Sequence, residues 1–516
     1  MSLTSFELYK VKNKQNLTSS PREKRLQLYN PYPGNYSNFK EMILDLDRIA
    51  GMGFKEIWVN PFYDTCKTNP IMPEKTHCPY AMRDHQTLNP EYGTSFDEVV
   101  LFTKRATELG LVPLFDFVAR HVSIDHPFVK GCPYLLQEGI DTTRWFKRHT
   151  NGNLMIKGLD ENYIQIEEGP WSDVAEFDYS SPKIRQEIFE YFWKPFIKFN
   201  IKTLGFKGAR LDAVGYICRE AHEILLPYIN KYCQKIHGTH AYLVAETVGI
   251  NEFEKNMVVQ GLVTHTINSA YWMPGPEGYG KHHYDLWRED ENWYAKEKGR
   301  LQQAAPSAGH AGSHDEPRFA EFLQKQGISD PTVAKQRMLE KMMVAAFGSD
   351  GGHILSYGDE FGIKDRVNLH KRKAINLNKD KQYDLSEEIK AINDIIAKLP
   401  PPSYPEWVQR VFYDTYPELV IFIVHQGEGF SGKSHVIIGN TYNHEDKGIT
   451  VDSAMLNEIM KANGRNNSHE KQAAPTALYL CGKIRLDSGL DIPCFHDDAL
   501  SPHQEKRQKK FGAIYH

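Results

Sequence analysis

LGFKGARLD (residues 204–212) closes an apolar run with Arg210 and Asp212 two positions apart, and three other stretches close in the same manner. They are LVPLFDFVARH (111–121), AYLVAE (241–246) and AGSHDEP (311–317). Each begins with residues that suit a buried strand. Each finishes on Asp, Glu, His or Arg where the strand would emerge. In a (β/α)₈ barrel the C-terminal strand ends converge on one cleft, so residues far apart in sequence meet there.

The segments between these stretches fit that α/β arrangement. SNFKEMILDLDRIA (37–50) has amphipathic helical spacing, and GMGF turns it into KEIWVNPF (55–62), read as the first barrel strand. The Ser95–Glu98 spacing is a capping box and predicts a helix running to Leu109. From His121 to about Ser180 the periodicity fails, and a segment of that length in a compact domain is an excursion or a small subdomain. A helix resumes at Ser181 with Pro182 in its first turn. VTHTINSAYW (263–272) and GGHILSYGDEFG (351–362) follow. Strand–helix alternation from about 30 to 400 indicates a parallel barrel. After Pro400-Pro401-Pro402 the character changes: ELVIFIVHQ (418–426) and SHVIIGNTYN (434–443) flank GEGFSGK as an antiparallel pair. The expected division is 1–122 and 181–400 for the barrel, 123–180 for an inserted subdomain, and 401–516 for a C-terminal antiparallel β-sandwich.

Composition narrows the function classes. A net charge of −4 over 516 residues leaves no nucleic-acid footprint, and EKRQKK (505–510) reads as a solvated tail. The seven cysteines are scattered with no CxxC pair, so reduced thiols of a cytoplasmic protein are the economical reading. The N-terminal MSLTSFELYKVKNKQN lacks an apolar core, and no run of about 18 apolar residues occurs. Neither a signal peptide nor a membrane span is expected; export by another route stays open. Oligomeric state is not legible.

Paired carboxylates in one cleft can break a glycosidic bond. Arg210 and Asp212 point the same way on a strand, and the guanidinium keeps the aspartate ionised for attack on an anomeric carbon; the pair also reads as a plain barrel ion pair. Glu246 follows the apolar YLVA, which would raise its pKa and let it donate a proton; an N-cap or a surface glutamate is the bland alternative. His314 and Asp315 can hold neighbouring sugar hydroxyls, although a lone His-Asp pair says little. His121 can bind a primary hydroxyl, Asp116 braces, and Tyr80 can stack on a sugar ring or sit in the core.

Taken together, the order and spacing of these segments resemble the α-amylase superfamily of retaining glycoside hydrolases and transglycosylases. The resemblance covers about 28–400 and includes PYAMRDHQTLNPEYG (79–93) and ILSYGDEFG (354–362). It implies a (β/α)₈ barrel with a subdomain inserted after the third strand and a β-sandwich at the C-terminal end. It also implies Asp212 as nucleophile, Glu246 as acid/base and Asp315 as third carboxylate. Arg210, His121, His314 and Tyr80 would contact the sugar, with Asp84 and Asp116 in support. The expected partner is an α-glucan or oligosaccharide, with glycogen or starch breakdown the leading role. Transfer to a sugar or to phosphate is the alternative, with acceptor choice expected in 131–180 and 265–300. A non-catalytic carbohydrate binder is the third reading, disfavoured because all three carboxylates are present. Two departures stand out. The family's usual calcium-ligating Asn is Arg120 here, so no metal or other cofactor is expected. The family's Lys-His after the nucleophile is replaced by AVGYI (213–217), a run more similar to sucrose-phosphorylase and trehalose-synthase members. The wider pattern, with DHPF after His121, looks more like bacterial maltosyltransferases.

Overall fold

Eight parallel strands close on one another: β1 (Leu26–Asn30), β2 (Glu56–Val59), β3 (Val112–Phe117), β4 (Gly208–Leu211), β5 (Tyr242–Val248), β6 (His265–Ser269), β7 (Ser307–His310) and β8 (Gly352–Ser356). β8 pairs with β1 over five residues, which completes the cylinder. This is a computed structural model. It describes residues 20–67, 78–149, 152, 154, 173–248, 257–269, 305–315, 317–402 apart from 368, 370 and 371, and most of 406–496. The basic tail at 505–510, the GEGFSGK connection apart from Lys433, and most of the proposed acceptor loops (155–172, 270–304) lie outside the described residues.

Side-chain alternation explains the barrel's two faces. Leu26 and Leu28 of β1 and Tyr242 and Val244 of β5 point inward and join Trp58, Leu114, Ile267 and Ile354 in an interior core. Tyr29, Ile57, Phe115 and Leu243 point outward, into the core shared with the helices. Strands approach closely where glycine stands: a Cβ on Gly352 would lie 2.0 Å from the Leu26 carbonyl oxygen, and one on Gly208 2.2 Å from that of Tyr242.

One expectation is corrected. KEIWVNPF forms the second strand, because LQLYN at 26–30 precedes it. Its apolar pattern is broken by Gln27, which is nonetheless buried and donates to the Gly53 and Asn393 carbonyls. A short strand whose polar member is satisfied by distant backbone carries no local signal. The helix at Phe39–Gly51 forms as its spacing implies, capped by Asn38 and buried through Phe39, Met42, Leu46 and Ile49. The Phe96–Glu108 helix starts at Ser95, whose hydroxyl accepts from Asp97 N. Glu98 reaches back to the Thr94 N–H and hydroxyl rather than to Ser95.

After β3, His121–Ser123 pairs antiparallel with Val174–Glu176, so the excursion leaves and returns at one place. The C-terminal sheet begins with three antiparallel strands, Glu406–Val411, Leu419–Gln426 and Lys433–Asn440. Ala477–Cys481 and Cys494–His496 then join in parallel. The helix at Ser453–Ala462 covers one face, with Leu456 and Ile459 against Ile421, Ile423 and Ile438. The other face, through Phe422, Val424 and Ile437, belongs to the barrel's own core. Gly439 permits that contact: a Cβ there would overlap the Met343 methyl.

Candidate active site

Arg210 lies one residue from the end of β4 with its side chain 2% exposed, and it gathers three carboxylates. Its Nη1 lies 3.1 Å from Asp116 Oδ1 on β3 and 2.7 Å from Asp212 Oδ1. Its Nη2 lies 2.6 Å from Glu246 Oε1 on β5. The guanidinium carbon sits 4.7 Å over the Trp58 ring from β2. Four neighbouring strand ends therefore meet on one cation, as closure of a barrel requires.

Asp116 is surrounded by donors. Trp58 Nε1 donates to its Oδ2 at 3.1 Å and Tyr80 OH at 3.0 Å, while Arg210 serves Oδ1. Burial pushes this carboxyl up, and Arg210 and the Tyr80 hydrogen bond oppose it. Glu246 is different. Among the described residues its Oε2 accepts the Ala213 N–H alone, at 2.9 Å, and Oε1 faces Arg210. Burial raises its pKa, Arg210 pulls the other way, and the charges of Asp212 and Asp315 raise it further. One guanidinium cannot balance four carboxylates in a low-dielectric pocket, so a retained proton belongs on Glu246.

A second arm runs from Asp116 through Tyr80 to β7's loop. Tyr80 OH lies 2.9 Å from His314 Nε2 and accepts from Asn60 Nδ2 at 3.0 Å. The Tyr80 and His314 rings are stacked, 5.6 Å between centroids and 8° from parallel. Burial depresses His314 to about 3, helped by the Arg210 charge, so the imidazole is neutral. Since Tyr80 gives its proton to Asp116, the His314 proton sits on Nε2, which also faces Asp315 Oδ2 at 3.2 Å. Asp212 is followed by Ala213 at φ 46°, the one non-glycine residue with positive φ among the described residues. That conformation costs on the order of 1 kcal/mol, at the residue whose N–H donates to Glu246.

Asp116, Arg210, Asp212, Glu246, Tyr80, His314 and Asp315 thus form one connected network. His121 is buried at the start of the ladder with Glu176. Asp84 stays in its own turn, accepting from Gln86 N at 2.8 Å and Thr87 Oγ1 at 2.7 Å. Partial burial works against ionisation of Asp84, but these bonds outweigh it and leave the carboxyl below its ordinary range. Sequence reasoning missed Trp58, Asn60 and Ala213. The first two were within reach, since KEIWVNPF also ends an apolar run on a polar residue; nothing local marks Ala213.

Arg120 occupies the position that the resemblance gives to a calcium ligand. Its Nε lies 3.4 Å from Glu176 Oε2, and its guanidinium carbon 3.6 Å over the Tyr216 ring. Lys147 Nζ lies 2.5 Å from the other Glu176 oxygen. A guanidinium has no lone pair to offer a metal, and Glu176 is already balanced by two cations, so these residues do not fit calcium. Among the described residues no helix is long and apolar enough to cross a membrane.

Residues 35–396 match the family model described as alpha amylase, catalytic domain. An alpha-1,4-glucan:maltose-1-phosphate maltosyltransferase of Arcanobacterium haemolyticum is 32% identical over 123 residues, 21% of this chain and 16% of that protein. The alpha-amylase mde5 of Schizosaccharomyces pombe is 25% identical over 246 residues, 46% of this chain and 45% of that one. The trehalose synthase/amylase TreS of Mycobacterium tuberculosis is 24% identical over 233 residues, 40% and 32% respectively. The chain spans less than half the length of each of these relatives. Among solved structures, an alpha-amylase from Lactobacillus plantarum is similar with a TM-score of 0.55 at 19% identity, over 80% of this chain and 87% of that one. The trehalose-6-phosphate hydrolase TreA of Bacillus licheniformis gives 0.58 at 13% identity, over 84% and 93%. At such identities the structural likeness is one of fold.

Proposed function

The chain belongs to the alpha-amylase family of glycoside hydrolases and transglycosylases, and from that premise we propose that it hydrolyses α-1,4-glucosidic bonds of glycogen- or starch-type glucans with retention of configuration. The reading rests on one observation above the others: Arg210 holds Asp212 and Glu246 on its two terminal nitrogens. Both carboxylates are thereby directed at one volume, as double displacement needs.

Asp212, paired with the guanidinium, attacks the anomeric carbon. Glu246 gives its proton to the departing glycosidic oxygen, and the C–O bond breaks as the Asp212–carbon bond forms. Glu246, now a carboxylate, takes a proton from water, whose oxygen displaces Asp212 and restores the starting state. The neutral His314 and Asp315 hold hydroxyls of the ring while charge develops at its anomeric carbon. Incubation with glycogen should release reducing sugar of retained anomeric configuration. Asp212→Asn and Glu246→Gln should each abolish that release; retained activity in either would end the assignment.

A second reading, transfer of a glucosyl or maltosyl unit to a sugar or to phosphate, shares the first half-reaction. It is favoured by Gly215 and Tyr216, which stand where the family's Lys-His would bind the leaving side, and by relatives named as a maltosyltransferase and a trehalose synthase. Phosphate-dependent formation of a sugar 1-phosphate would decide for it. The division into a barrel at 1–122 and 181–400, an insert at 123–180 and a C-terminal unit at 401–516 is part of the same proposal.

A further inference from the structure

The loop after β7 carries His314 and Asp315, and it is fastened to the turn after β8 by an ion pair that the chemistry above does not use. Arg318 Nη1 lies 2.8 Å from Asp359 Oδ1, with the two side chains 2% and 4% exposed. Arg318 Nε also donates to the Asp365 carbonyl at 2.7 Å. Arg366 donates to the Asp315 carbonyl, and Ser356 Oγ to the Gly312 carbonyl at 2.9 Å. The fit is close: a Cβ on Gly312 would lie 2.2 Å from Asp359 Oδ2.

The β8 side of this contact is rigid. Glu360, the next residue, accepts from Tyr29 OH at 2.5 Å, from Arg48 Nη1 at 2.9 Å and from Gly358 N at 2.8 Å. Those partners tie it to β1 and to the helix at Phe39–Gly51. The two adjacent acids of SYGDEFG therefore face opposite ways, Glu360 into the barrel wall and Asp359 toward the loop that bears Asp315. A buried ion pair adds little net stability, because desolvation offsets its attraction; its better-attested use is to specify one arrangement among several. Arg318 Nη2 and Asp359 Oδ2 are buried with no hydrogen-bond partner among the described residues, so this pair is poorly optimised for stability. The arrangement it selects is that of the loop three residues before it.

We propose that Arg318 and Asp359 are positioning residues that set the place of Asp315 against the bound sugar. The inference rests on the reading of the site as one that cleaves glycosides. Removing the pair should lower kcat by at least tenfold while KM changes by less than threefold, because the contact it sets matters most when charge develops in the ring.

The test is a double-mutant cycle on maltooligosaccharide cleavage with the full chain. Asp359→Asn and Asp315→Asn are measured singly and together. If Asp359 acts through Asp315, Asp359→Asn costs little further rate once Asp315 is already Asn. Arg318→Lys, which keeps the charge but gives up the fork, should fall between wild type and Asp359→Asn; it also serves if Asp359→Asn does not fold. Fully multiplicative losses in the cycle would overturn the proposal, as would a fall in Tm with kcat unchanged in both variants. A wild-type chain that turns over no α-glucoside removes the functional reading and this inference together, whereas an active wild type with multiplicative losses removes this inference alone.

Discussion

The two ends of the barrel each bury carboxyl groups, and they treat them differently. At the mouth, Asp116, Asp212 and Glu246 share Arg210, and a tyrosine, a tryptophan and a histidine extend the network. At the base, Glu56 opens β2 almost alone: 2% exposed, it accepts the Gln27 N–H at 2.9 Å and a hydrogen bond from Tyr242. Burial pushes Glu56 up to about 7, against those two hydrogen bonds. Both ends thus hold acids with raised pKa, so a raised pKa does not single out a reactive site. What separates them is convergence. The mouth collects several strand ends on one cation with competing protonation states, whereas at the base Glu56 is buried with enough donors to tolerate it.

The sharpest way to break this contrast is at the nucleophile. Asp212→Asn should lower kcat on the order of 10⁴-fold or more, with Tm near wild type, whereas Glu56→Gln should leave kcat within about twofold. Comparable losses from the two would erase the distinction. Next in size is Arg210→Met, which strands three carboxylates. Its unfolding free energy should drop by ~3–5 kcal/mol, the cost of removing one partner from a buried charge cluster, and a denaturant titration measures it. If Arg210 is only ornamental, the midpoint will not move.

The pH dependence separates the ends further. Glu246 must be protonated to act as acid, so the rate should fall as pH rises through about 8, and a rate that stays level through that pH would contradict its role. At the base the effect is on stability. Glu56 has a folded pKa near 7, above the ~4.5 of the unfolded chain, so the folded state keeps its proton longer. Below pH 4.5 both states are protonated and its contribution is flat. Between 4.5 and 7 the unfolded state binds fewer protons than the folded one, so stability declines with rising pH and levels off above 7. The decline attributable to this group is roughly 3 kcal/mol, and Glu56→Gln should remove it from a Tm-versus-pH profile. An identical slope in the two proteins would mean that Glu56 is not the group responsible. The smallest expected effect is none: chelation should leave rate and Tm unchanged, since Arg120 and Glu176 already pair. A loss restored by calcium would contradict that pairing.

The strand ends bearing Asp116, Arg210, Asp212 and Glu246 were legible because an apolar run followed by an ionisable residue is a local pattern; AGSHDEP, read as a fourth such strand, is instead the loop that follows the strand at Ser307–His310. The helices at 39–51 and 96–108 were legible for the same reason, through spacing and caps. β1 was not, because the acceptors that satisfy Gln27, at Gly53 and Asn393, lie far along the chain. The C-terminal hairpin at 419–440 could be read from its two β-rich apolar runs on either side of GEGFSGK. The parallel strands that follow could not, because they depend on the helix at 453–462 carrying the chain back over the sheet.

By itself the sequence determined which residue types stand at the ends of the staves, and therefore what chemistry the mouth can perform. Only tertiary structure decided who pairs with whom. Arg210 meets Asp116 across 94 positions, Glu246 finds the N–H of a left-handed Ala213, and Arg120 lies against Glu176 and Tyr216. These partnerships arise because closing a barrel brings together side chains that no stretch of chain holds as neighbours, and the protonation state of each acid follows from the partners it meets there.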